Sequence, residues 1–214
     1  RMYHSGATED LELAIHHFSE FYGQIVLVGF SLGGNLVLKY AGEKGWNLDE
    51  RISSVIAVSV PVDLKGGSLH IGRKQNFVYE RKFLKTLKEK MQIKAKAFPR
   101  DIDVERLDGI ESLYDFDDVY TGPIHGFRDA DDYYEQCSSK YFIANIQRRA
   151  HIINAQDDPF LPESCYPFEQ ASRNPNINLM TPRYGGHVGF VRFMRRHYWI
   201  ENQILRLAEL QKKA

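Results

Sequence analysis

The sequence predicts an α/β protein, a mostly parallel sheet flanked by helices and interrupted by a helical cap insertion. Three observations predict it. Two β-branched-rich runs without polar alternation, residues 24–30 and 54–60, flank a helical stretch. That is the pattern of strands buried on both faces and joined by a parallel crossover. The middle of the chain then loses the strand pattern and becomes highly charged, and strand and helix alternate again from residue 149. These breaks divide the chain into a core segment at 1–64, a helical cap at 65–148 and a second core segment at 149–214.

The elements follow in order. Residues 8–22 read as a helix, with Thr8 as N-cap and Glu9, Asp10 and Glu12 in the first turn. Leu11, Ala14, Ile15 and Phe18 form its apolar stripe, and Gly23 ends it. A buried strand is expected at 24–30, a helix at 32–43 carrying Leu36, Val37 and Tyr40, and a second strand at 54–60 closed by Pro61. From Lys65 to Lys96, ten Lys or Arg face only Glu80 and Glu89; residues 101–118 then carry eight acidic residues against Arg106. A helix over 78–97 places Phe83, Leu84, Leu87 and Met91 on one face. Such a segment reads either as a solvated insertion or as a lid whose stripe faces substrate, and the two are compatible. Later come a strand at 149–155, a helix at 163–173 interrupted by Pro167, and a strand at 176–181. A terminal helix at 192–213 holds Ile200, Ile204, Leu205 and Leu207 inward.

Composition narrows the function. The 28 Lys and Arg are balanced by 28 Asp and Glu, so no electrostatic footprint for nucleic acid is expected. No apolar run reaches the length of a transmembrane helix. Cys137 and Cys165 lack metal-ligand spacing, which suits a reducing, cytoplasmic compartment.

The chemistry concentrates in Gly29-Phe30-Ser31-Leu32-Gly33, a G-x-S-x-G sequence between an expected buried strand and an expected helix. A serine hydroxyl is a poor nucleophile unless it is held, exposed, beside a base. A sharp strand-to-helix turn does this, and small flanking residues let it close. The following helix directs N–H groups at a developing oxyanion, with Leu32 as one donor. An acid and a base should follow, each after a strand. His187 stands in a glycine-rich loop after the last strand, whereas His4, His16, His17, His70, His125, His151 and His197 keep structural readings. For the acid, Asp157 and Asp158 are both available, and adjacent carboxylates on an extended loop point apart. Asp158 is favoured because it directly precedes Pro159, and the other is expected to stabilise the loop or be solvated.

With these motifs in view, the chain resembles the YheT-like α/β-hydrolases, a bacterial family with eukaryotic relatives among the abhydrolase-domain lipid esterases. The matching stretches include Tyr3-His4-Ser5-Gly6, Gly29-Phe30-Ser31-Leu32-Gly33-Gly34-Asn35, Ser59-Val60-Pro61-Val62-Asp63-Leu64, Tyr120-Thr121-Gly122-Pro123 and Asp132-Tyr133-Tyr134. Asn154-Ala155-Gln156-Asp157-Asp158-Pro159-Phe160 and Gly185-Gly186-His187-Val188-Gly189-Phe190 are the most specific. The resemblance implies an α/β-hydrolase fold, of which this chain holds the later half of the sheet. It also implies a catalytic Ser31, Asp158 and His187, no cofactor or metal, and hydrolysis of a small-molecule or lipid-like carboxylic ester. The family's earlier strands and second oxyanion donor are expected outside this sequence, in a missing N-terminal segment or in another polypeptide that completes the sheet. A non-catalytic ligand-binding protein and an acyltransferase are the alternatives on the same fold.

Overall fold

A buried apolar run has nowhere to place its backbone groups except against another strand, and the four runs pair with one another in chain order. The computed structural model describes residues 3–99, 102–191 and 197–209. The core begins with α1 (Thr8–Ser19), β1 (Ile25–Phe30), α2 (Leu32–Lys44) and β2 (Ile52–Val58). Then come α3 (Leu64–Ile71), α4 (Phe77–Ala97), α5 (Leu113–Phe116), a single π-helical turn at Asp117–Thr121, α6 (Gly122–Ile124) and α7 (Ala130–Cys137). The chain returns with β3 (Ala150–Ile153), α8 (Phe168–Arg173), β4 (Ile177–Met180) and α9 (Trp199–Glu209).

The sheet order is β1-β2-β3-β4, parallel throughout. Phe30 lies opposite Val58, Val58 opposite Ile153, and Ile153 opposite Met180. All four strands therefore end level, and the loops leaving them share one rim. Side chains alternate between two cores, as the period of a strand requires. Leu27, Val55, Ala57 and Ile152 pack with Val37, Leu38 and Ala41 of α2 on one face. Val26, Ile56, Val58 and Ile153 pack with Phe190 and with Ile200 and Leu207 of α9 on the other. A third cluster, containing Leu84 and Met91 of α4 with Leu107, Phe116 and Tyr120, belongs to the middle segment.

Several expectations are corrected. Thr8 is not the N-cap of α1; Ala7 occupies that position, and the Thr8 hydroxyl instead donates to Glu43 Oε2 at 2.8 Å. The helix stops at Ser19 rather than 22, where Ser19 Oγ donates back to His16 O at 2.7 Å and competes with the helical ladder. β1 is not buried on both faces: Val28 and Phe30 are 39% and 42% exposed. Of the described β1 residues, Val26 alone packs against the cluster that residues of β2, β3 and α9 form on this face. β2 ends at Val58 rather than 60, because Ser59 turns to φ 50°. Pro167 does break the expected 163–173 helix, leaving a 3₁₀ turn at Glu163–Cys165 and capping α8. Leu205 faces outward, 60% exposed, and residues 192–196 and 210–213 of the expected terminal helix lie outside the described residues.

Candidate active site

β1 ends at Phe30 and α2 begins at Leu32, so the change of direction falls on Ser31. Its backbone adopts φ 51°, ψ −122°, a region that costs a non-glycine residue about 1–3 kcal/mol and persists only when its surroundings enforce it. Here Ser31 N–H donates to Val58 O at 2.8 Å, while the N–H groups of Gly34 and Asn35 donate to Ser31 O at 2.9 and 3.2 Å. Gly29 has no substitute: a Cβ there would stand 2.2 Å from the Gly33 carbonyl oxygen. The buried Asn35 amide ties the first turn of α2 to its surroundings. It donates to Ser5 O and Cys137 O and accepts from Ser139 N–H. Leu32 is the first helical residue, so its N–H has no acceptor within α2.

The other side of the site comes from β3 and β4. Asn154, fully buried just past β3, accepts from Val60 N–H and donates to Val60 O and Cys165 O. It clamps the chain that leaves β2 to the turn that carries Asp158. The Asp158 side chain is fully buried, and its Oδ1 accepts from Phe160 N–H at 2.9 Å. The His187 ring bridges inward from the loop after β4. Its Nδ1 lies 2.9 and 3.1 Å from the Asp158 carboxylate oxygens, and its Nε2 lies 3.0 Å from Ser31 Oγ. A carboxylate accepts only, so Nδ1 carries the proton and Nε2 is left to accept from the serine hydroxyl. Gly186 and Val188, on either side of His187, both have positive φ, and Val188 N–H donates to Ser59 Oγ at 3.0 Å. The Phe160 ring packs against the imidazole at a centroid distance of 4.5 Å.

The structure thus brings together Ser31, His187 and Asp158, three residues singled out from the sequence. Asp157 points elsewhere and accepts from Gly185 N–H and Gly186 N–H, each at 2.8 Å. The sequence reading missed Asn35, Asn154 and Phe160. Both asparagines stand inside quoted motifs, where a polar residue amid apolar neighbours was the available signal. His4, read as structural, lies on the wall of the cavity in front of Ser31.

That cavity has a volume of about 600 Å³ and reaches both Ser31 and His187. Leu64 and Ile71 of α3, Phe83 and Leu87 of α4, Phe116 of α5 and Phe160 give it a largely apolar wall. Burial pushes the Cys165 thiol up to about 12 and lowers the His70 imidazole below its usual value, so neither carries charge near neutral pH. Among the described residues no group of three His, Cys, Asp or Glu is placed to hold a metal ion. Among them, too, no helix is long and apolar enough to cross a membrane.

Comparison with known proteins gives a consistent picture. Residues 22–192 match the profile of the alpha/beta hydrolase fold. YheT of Escherichia coli (strain K12) is 33% identical over 210 residues, covering 95% of this chain and 61% of YheT. Phospholipase ABHD3 of Mus musculus is 31% identical, covering 89% of this chain and 47% of its own. Monoacylglycerol lipase of Saccharomyces cerevisiae is 27% identical, with 98% and 48% covered. The chain therefore spans about half to three fifths of the length of these relatives. Among solved structures, Pyrococcus furiosus esterase Pf2001 superposes with a TM-score of 0.54 at 17% identity, covering 100% of this chain and 64% of the esterase. Porphyromonas gingivalis dipeptidyl peptidase 4 gives 0.52 at 13%, with 96% and 22% covered. An esterase and a peptidase match with similar scores, at 17% and 13% identity, so these likenesses show the fold alone.

Proposed function

Because the chain belongs to the alpha/beta hydrolase fold family, we propose that it is a serine hydrolase that cleaves carboxylic esters. Ser31 is the nucleophile, His187 the base and Asp158 the orienting acid. The observation that carries this reading is the unbroken line of short contacts, 3.0 Å from Ser31 Oγ to His187 Nε2 and 2.9 Å from Nδ1 to Asp158.

Ser31 Oγ attacks the ester carbonyl carbon as its proton passes to His187 Nε2, and the buried Asp158 carboxylate stabilises the imidazolium that forms. The carbonyl oxygen becomes an oxyanion that Leu32 N–H can bind at the start of α2. The tetrahedral species collapses, His187 returns the proton to the departing alcohol oxygen, and an acyl-Ser31 remains. Water then attacks the acyl carbon with His187 as base, and the acid leaves as Ser31 recovers its proton. Residues 65–148 act as a cap over this chemistry, since α3, α4 and α5 supply much of the wall around the substrate. The apolar lining favours a hydrophobic, lipid-like ester.

The test is a series of p-nitrophenyl esters of increasing chain length together with a fluorophosphonate probe. Wild-type protein should hydrolyse the esters and label at Ser31, and Ser31→Ala should do neither. Hydrolysis that survives in Ser31→Ala would refute the assignment. Release of an ester product when a second alcohol is added would identify an acyltransferase instead.

A further inference from the structure

Asp117 opens the π-helical turn that follows α5, and its side chain lines the same cavity as Ser31 and His187. A π turn places an extra residue in the helical ladder, a distortion found frequently at functional sites. The Asp117 carboxyl meets a set of hydroxyls. The Tyr134 hydroxyl lies 2.7 Å from Asp117 Oδ2 and 3.1 Å from Ser68 Oγ, and the Thr121 side chain hydrogen-bonds the same carboxyl. Ser68, Thr121 and Tyr134 line the cavity as well. Apolar residues, Leu64, Leu113 and Phe116 among them, make up much of the rest of the wall.

Placing a carboxyl in such surroundings is unfavourable, and a cavity meant for hydrocarbon alone would be better lined by leucine. Burial raises the Asp117 carboxyl above the usual carboxylate range despite the hydrogen bonds from Thr121 and Tyr134. Burial, followed by the nearby Asp117 charge, likewise raises the Tyr134 phenol. The carboxyl and the three hydroxyls can together both donate and accept. The Asp117 carboxyl disfavours an anionic group at this cluster, while Lys82 and Lys90 of α4 also line the cavity. The burial that raises the carboxyl also disfavours the ionised form that a cation would need. A neutral hydroxyl, itself donor and acceptor, matches both capacities. None of these four residues has a part in the ester cleavage described above.

We infer that Asp117, Tyr134, Ser68 and Thr121 form a polar subsite within the apolar cavity that binds an uncharged hydroxyl group of the substrate, separate from the ester under attack. The inference rests on the proposed ester hydrolysis for its substrate but not for its binding chemistry. A hydroxyl on the acyl chain and one on the alcohol would satisfy the subsite alike.

Two matched pairs separate those sources. p-Nitrophenyl octanoate and its 8-hydroxy analogue vary the acyl side; ethyl octanoate and 2-hydroxyethyl octanoate vary the alcohol side. For one pair, the ratio of kcat/KM for the hydroxylated member to that for the plain member should fall about three- to tenfold in Asp117→Leu, the worth of one net hydrogen bond. Tyr134→Phe, which removes a single oxygen, should move the same ratio in the same direction and serves if Asp117→Leu does not fold. Ratios unchanged from wild type for both pairs would overturn the subsite. Binding supplies a readout independent of turnover, with 1-octanol and 1,8-octanediol as ligands and thermal stabilisation as the signal. In Ser31→Ala the diol's affinity relative to octanol should drop when Tyr134→Phe is added. If the wild-type protein cleaves no ester, a drop here would still keep the subsite while the hydrolase reading fails; no drop would reject the subsite whatever the wild-type activity.

Discussion

Asp157 and Asp158 are neighbours in sequence, yet they hold two different parts of one loop. Asp158 reaches the imidazole of His187, and Asp157 accepts from the backbone of the two glycines that precede it. The acid pair thus fixes both the ring and the chain that delivers it. Asp158→Asn should reduce kcat by about 10⁴, the scale of losing the correct imidazole tautomer. Asp157→Ala should leave kcat within about tenfold and lower stability by about 1 kcal/mol, because its bonds are exposed. Ester kinetics and thermal unfolding of the two variants check this, and the reverse ranking would exchange the roles.

The two glycines of the serine turn are not equivalent. Gly29 faces backbone atoms as near as 2.2 Å, whereas a Cβ at Gly33 meets nothing within 4 Å. Gly29→Ala should destabilise the fold by about 2–3 kcal/mol or more through overpacking. Gly33→Ala, inside α2, should be neutral or stabilising by up to about 1 kcal/mol. Chemical denaturation of both variants reads the difference; equal losses would contradict the geometry.

Asn154 joins the ends of two strands below the site with three buried hydrogen bonds. Asn154→Ala leaves Val60 N–H, Val60 O and Cys165 O without that partner. An expected destabilisation of about 2–4 kcal/mol follows from stranding buried polar groups. Urea unfolding measures it, and a loss under about 0.5 kcal/mol would mean that the clamp is dispensable.

Burial, aided by the charge of Arg149, depresses the imidazole of His151 on β3 from 6.5 to about 4. Asn178 Nδ2 donates to its Nδ1 at 3.0 Å. Below pH 6.5 the unfolded chain takes up a proton that the folded chain refuses, so this residue lowers stability as pH falls from 6.5 toward 4. His151→Leu should remove that part of the decline. Unfolding free energies measured at several pH values across the window provide the check, and parallel curves for variant and wild type would exclude the contribution.

The alternation of strand and helix on either side of Ser31 was readable because buried parallel strands and a helix stripe leave different periods in sequence. Ser31 and His187 were readable for a related reason, since each sits in a turn that demands glycine nearby. Apart from the resemblance, the choice of Asp158 over Asp157 rested only on Pro159, and it is side-chain direction that separates the two. An open edge at the serine strand followed from the resemblance, which places the earlier strands outside this sequence. The exposure of one face at Val28 and Phe30 did not, because composition does not show which strands a helix covers. Asp117 was hidden for a different reason. It lies in an acidic run that reads as solvated, and only the π turn and the apolar walls distinguish it from its neighbours.

β2 ends at Val58 and its partner β3 begins at Ala150, so the centre of the sheet joins residues very distant along the chain. Loop-closure entropy makes such a pairing slow to find. The β1-α2-β2 unit is local and can collapse early, carrying the serine turn in immature form. Only the later docking of β3 and β4 delivers the imidazole. Recovery of fluorophosphonate reactivity during refolding should therefore lag behind recovery of helical circular dichroism.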